Sequence, residues 1–182
     1  MSDPPPEPTA EMVAFFETRT KLHIARVQRC LKTIAPVTDC PDELLHRAQV
    51  HDASKYSDAE CIPYIWLTEF HRCRQSGEAF TYPDGMEDRV REAVSHHMTT
   101  NRHHPDYHAT PNAMTDADLI EMVCDWTAMA QEMGECNGSA RAYADRTIGS
   151  RLVLNSERRD FVYRMIELLD SLLSGKGALE FE

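Results

Sequence analysis

The stretch of this sequence best equipped for chemistry is Gln49-Val50-His51-Asp52-Ala53-Ser54-Lys55-Tyr56. It sets an imidazole beside a carboxylate; the two can reach one divalent ion, or the carboxylate can bridge two. A lysine follows the aspartate by three residues. A histidine-aspartate dipeptide alone arises readily by chance. Here it is accompanied by His23 upstream, by Asp125 within an apolar run, and by a segment from 96 to 108 that holds five of the nine histidines. Together these residue types point to a metal site, and to an enzyme.

The elements that must position them all read as helices. A first helix is expected from about 9 to 34, stopping before Ala35-Pro36. Phe16, Thr20, His23, Val27, Leu31 and Ile34 recur at helical spacing, so His23 faces the core. A lone buried histidine is ordinarily one that hydrogen-bonds a neighbour, but this one has company. Pro41 suits the first position of a second helix, with Glu43 in its acidic first turn. Leu44, Ala48 and His51 share a face, and Leu45 leads one heptad on to Asp52. An inward Asp52 calls for a cation; the competing reading is that Asp52 pairs with Lys55 or caps the next turn.

Ser57-Asp58-Ala59-Glu60 has the pattern of a capping box opening a third helix, with Ile62, Trp66, Leu67 and Phe70 on its face. Residues 75–85 carry turn signals. A fourth helix, about 86–100, turns His97 inward with Val90, Ala93 and Val94 and leaves His96 at the flank. Asn101-Arg102-His103-His104-Pro105-Asp106-Tyr107-His108 follows, stiffened by its proline. Thr115 and Asp118 cap a fifth helix to about 133, whose core face is Leu119, Met122, Val123, Trp126, Met129 and Met133, with Asp125 on the same side. A short helix near 140–146 and a last one over 157–173 complete the pattern, with no repeat and no strand. The reading is an all-α, single-domain bundle of about six helices over 9–174, between tails at 1–8 and 175–182.

Composition narrows the partners. The 182 residues suit one domain, and 19 basic against 30 acidic residues give a net charge of −11. That balance argues against a nucleic-acid surface, and no stretch is apolar enough for a membrane span. None of the six cysteines forms a C-x-x-C pair, so reduced thiols in a cytoplasmic protein are expected rather than a zinc knuckle. A small anionic substrate would need local cations. Without a glycine-rich phosphate cradle, these are a metal, Lys55 and Arg102.

In order along the chain, His23-Ile-Ala-Arg-Val27, the 49–55 stretch and Cys124-Asp125-Trp126 resemble the HD-domain superfamily of metal-dependent phosphohydrolases, over roughly residues 12 to 133. The text His96-His97-Met-Thr-Thr-Asn101-Arg-His103-His104-Pro105 is similar to that of an uncharacterised family of short HD-like proteins, a likeness that brings no activity with it. The superfamily resemblance implies that His23, His51, Asp52 and Asp125 bind a first divalent metal. It implies that His97 and His104, with His103 as substitute, serve a second. The ion could be Mn, Fe, Co, Ni, Mg or Zn. The implied reaction is attack of metal-activated water on a small phosphorylated, nucleotide-like substrate, with Asp52, Lys55 and Arg102 as catalytic residues. Lys55 stands where some nucleotide-cleaving members have a glutamate base. The alternatives are a di-iron oxygenase of the same fold and a non-catalytic metal-binding helical protein. The expected partner is the small anionic substrate, and the sequence leaves monomer and homodimer both open.

Overall fold

The computed structural model describes residues 7–175, apart from the side chain of Cys136. Of the expected tails, only Glu7, Pro8 and Gly175 fall within that range. Among the described residues there are seven α-helices: α1 Ala10–Ile34, α2 Pro41–Val50, α3 Cys61–Ser76, α4 Met86–Thr100, α5 Asp116–Met133, α6 Arg141–Thr147 and α7 Ser156–Leu173. An isolated bridge between Ile148 and Leu152 is the only strand-like pairing among them, so the fold is all-α. The expected count of about six rises to seven once the short α6 is included.

Periodicity explains α1. All six residues of its apolar stripe, from Phe16 to Ile34, are buried, His23 among them. Helix α2 opens with Pro41 at its first turn, as expected, but ends at Val50. His51 then leaves the helical region, with φ −51° and ψ 128°, and Asp52 is left-handed, with φ 56°. The expectation that Asp52 follows the heptad of Leu45 is therefore corrected: Leu45 is 40% exposed and Asp52 1%. The left-handed turn, which aspartate tolerates better than most residues, points Asp52 inward.

Helix α3 corrects another expectation. Glu60 occupies its N-cap position but makes no side-chain cap bond, so no capping box forms. The buried face is Pro63, Ile65, Thr68, Glu69 and Cys73, while Ile62, Trp66, Leu67 and Phe70 are half-buried. Helix α5 does carry the full capping box: Thr115 accepts from the Asp118 amide, and Asp118 accepts from the Thr115 amide. Its residues from Ala117 to Ala130 are buried except Asp125 and Met129, which are half-buried, whereas Met133, expected in the core, is 45% exposed.

Packing divides the chain into two units, each built from two stretches. The first takes the chain up to Leu22 with Asp52–Asn101; the second takes His23–His51 with the chain from Arg102 onward. No single cut in the sequence separates them. The first unit has a small core of Met12, Phe16 and Ile65, with Val13, Cys61, Tyr64 and Trp66 packed on it. The second has the larger core, in which Val27, Leu31, Leu44 and Ala48 belong with Leu119 and Val123 of α5 and Val162 and Ile166 of α7. The divisions fall at Leu22/His23, His51/Asp52 and Asn101/Arg102, within the text that carries the chemistry.

Candidate metal centre

In the second unit, α1 supplies His23, the end of α2 supplies His51, the segment after α4 supplies His103, and α5 supplies Asp125. The three histidines are buried. His23 Nε2 lies 3.0 Å from Asp125 Oδ1, and His51 Nε2 lies 3.8 Å from the same oxygen. Potential ligand atoms of His51, His103 and Asp125 all fall within 4.8 Å of one another. Donors about 2 Å from a shared ion lie about 3–4 Å apart, so this set fits a divalent cation.

Behind the histidines stands Glu121, one helical turn before Asp125. Its Oε1 is 2.8 Å from His51 Nδ1 and 3.5 Å from His103 Nδ1. Its Oε2 accepts from Arg47 Nη1 at 2.9 Å. Arg47 also pairs with Asp118 at 2.7 Å and with Glu43 at 2.6 Å. Burial pushes the Glu121 carboxyl up, but hydrogen bonds from His103 and His51 prevail and hold it well below the usual carboxylate range. Burial likewise opposes ionisation of Asp125, and the His23 hydrogen bond with the neighbouring imidazoles overcomes it, so this carboxyl too is depressed.

The first unit has a cluster of its own. Asp52 is paired with Lys55 Nζ at 2.6 Å, and its other oxygen is 3.3 Å from His97 Nε2. His97 Nδ1 lies 2.9 Å from Glu60 Oε2, and His96 Nδ1 lies 2.7 Å from Glu60 Oε1. The Ser54 hydroxyl donates to Glu60 at 3.0 Å and accepts from Asn101 Nδ2 at 2.8 Å.

Of the residues expected from the sequence, the second unit thus brings together His23, His51, His103 and Asp125, and the first brings together Asp52, Lys55 and His97. It is His103, the expected substitute, that shares the cluster of His51 and Asp125; His104 is half-buried, with its ring 4.2 Å from that of His103. Arg102 is engaged at the start of α5, where Nε and Nη2 donate to Asp118 at 3.0 and 3.2 Å. Its guanidinium also lies 5.2 Å from the centre of the Tyr107 ring. The sequence reading did not single out Glu121 or Arg47. Each stands four residues before a member of the cluster, Glu121 before Asp125 and Arg47 before His51. That spacing was a usable signal.

Residues 12–168 match a family of unknown function, DUF5662. The chain belongs to this family. The family's match spans every residue of both clusters and ends within α7. No curated protein and no solved structure matches the chain. Among the described residues, no helix is long and apolar enough to cross a membrane.

Proposed function

We propose that this protein is a metal-dependent phosphohydrolase acting on a small phosphorylated, nucleotide-like substrate. The supporting observation is the grouping of His23, His51, His103 and Asp125 in the second unit, a nitrogen-and-carboxylate donor set suited to Mn, Fe, Co, Ni or Zn. A divalent ion held there supplies a water of lowered pKa and a Lewis acid for a phosphate oxygen. Asp125 would be the one residue of this set to bring a negative charge to the ion, so a divalent cation would keep positive charge not matched by its ligands. An anionic phosphate is then attracted locally, despite a chain of net charge −11. The charge of Lys55 is engaged by Asp52 and that of Arg102 by Asp118, so the metal site is the phosphate's principal partner. The likeness of His23, the His51-Asp52 dipeptide and Asp125 to the HD-domain superfamily directs the reading from metal binding to phosphoester hydrolysis.

The test is elemental analysis of protein purified without chelator or metal-affinity tag, followed by a nucleotide and phosphoester screen. We expect at least one Mn, Co, Ni or Zn ion per chain, lost in His51→Ala and Asp125→Ala, with phosphate release that depends on the ion. Two irons per chain with oxygen consumption would replace hydrolysis by oxygenation. A wild-type chain that neither carries nor takes up metal would sink the reading.

A further inference from the structure

A buried carboxylate is costly unless its oxygens are occupied. Glu121 is 5% exposed, and both its oxygens are engaged. Oε2 accepts from Arg47, and Oε1 faces Nδ1 of His51 and Nδ1 of His103. An ionised carboxylate only accepts, so a ring nitrogen bonded to it carries the hydrogen. A neutral imidazole with its hydrogen on Nδ1 keeps its lone pair on Nε2. We propose that Glu121 is a positioning residue that sets His51 and His103 in the same tautomer, so that both present Nε2 as the ligating nitrogen.

The arrangement carries this in three ways. His51 already directs Nε2 toward Asp125 Oδ1, at 3.8 Å. One oxygen that can only accept faces both Nδ1 atoms, so the same constraint acts on each ring. Arg47 fixes that oxygen in place: its guanidinium holds the opposite side of the carboxylate and is itself anchored by Asp118 and Glu43. Partners of this kind orient metal-binding histidines and raise their basicity, and their removal weakens metal binding by about 10–100-fold. The consequence for metal affinity rests on the metal reading proposed above; the tautomers do not.

The experiment is long-range 1H–15N correlation on full-length, 15N-labelled protein stripped with chelator, at a mildly alkaline pH. Zinc titration by calorimetry accompanies it. Wild type is expected to show the hydrogen on Nδ1 at both His51 and His103. Glu121→Gln leaves one acceptor oxygen and turns an amide donor toward either Arg47 or the rings. It should release at least one ring to the other tautomer and weaken zinc binding by about 10–100-fold. If that variant does not fold, Glu121→Asp reads the same point, because it keeps the charge and withdraws the carboxylate by one methylene. Arg47→Lys keeps Glu121 in place and should retain both tautomers with a smaller loss of affinity. The proposal is overturned by a wild-type ring with its hydrogen on Nε2, or by unchanged tautomers and zinc affinity in Glu121→Gln. A wild type that ignores zinc but shows the expected tautomers would remove the metal reading and leave Glu121's role standing.

Discussion

Glu60 in the first unit and Glu121 in the second do the same local work with different charges around them. Each is buried and serves two histidines through Nδ1: His96 and His97 at 2.7 and 2.9 Å for Glu60, His51 and His103 at 2.8 and 3.5 Å for Glu121. Glu121 is backed by the Arg47 guanidinium, Glu60 by the neutral Ser54 hydroxyl. The cation of the first cluster, Lys55, sits instead on Asp52. In the second unit the built-in cation therefore lies behind the histidines, and the Asp125 carboxylate faces imidazoles. In the first, the carboxylate is already matched by an ammonium. The same carboxylate–imidazole chemistry is thus paired with a guanidinium at the shared glutamate in one unit and with an ammonium at the neighbouring aspartate in the other.

The comparison can be broken most sharply at Arg47. Arg47→Met leaves Asp118 and Glu121 buried without their shared cation, and should cost about 3–5 kcal/mol in a urea titration of metal-free protein. A cost no larger than that of Lys55→Met would end the claim that the second cluster depends on its cation more. Next in size, Glu60→Gln keeps one acceptor for a hydroxyl and two imidazoles, and should cost about 2 kcal/mol in the same assay. No change would mean that Glu60 is not the centre of its cluster. Lys55→Met should cost about 1–2 kcal/mol, because Lys55 is 18% exposed and Asp52 keeps His97 at 3.3 Å.

The smallest effect is a change of pH dependence. Burial pushes the Asp118 carboxyl up, but the Thr115 amide, Arg102, the Thr115 hydroxyl and Arg47 together hold it below its ordinary value. A carboxyl depressed in the folded state contributes stability that is fully present above its unfolded value, about 3.9, and lost as pH falls through the lowered one. Asp118→Asn should therefore flatten the fall in stability below about pH 4. An acid limb identical to wild type would show that Asp118 carries none of this dependence.

Two stretches with the same local pattern show where sequence reasoning stopped. Thr115…Asp118 and Ser57…Glu60 both read as capping boxes, and only the first forms. The Glu60 carboxylate is claimed by His96 and His97, which lie 36 and 37 residues away in sequence. A cap pattern weighs only neighbours in the chain, and it cannot see a stronger partner that folding brings near. Asp52 teaches a related lesson. The sequence called for an inward Asp52, and Asp52 is buried, but the burial comes from a left-handed turn after α2 and not from a continuing helical face. His97 inward with His96 at the flank was legible, because 3.6-residue periodicity alone decides it.

By itself the sequence determined the all-α fold, the run of α1 to Ile34, α4 to Thr100 and α5 to Met133, the buried stripe through His23, and the histidines and aspartates from which a metal site could be drawn. These follow from propensity, periodicity and caps, which act within a turn or two of the chain. Tertiary structure alone decided that His103 rather than His104 sits with His51 and Asp125, that Glu121 and Glu60 take the Nδ1 side of the rings, and that Arg47 and Arg102 converge on Asp118. The reason is that a buried polar group must find a partner, and it chooses among whatever groups packing has placed within about 3 Å, however far apart they lie in sequence.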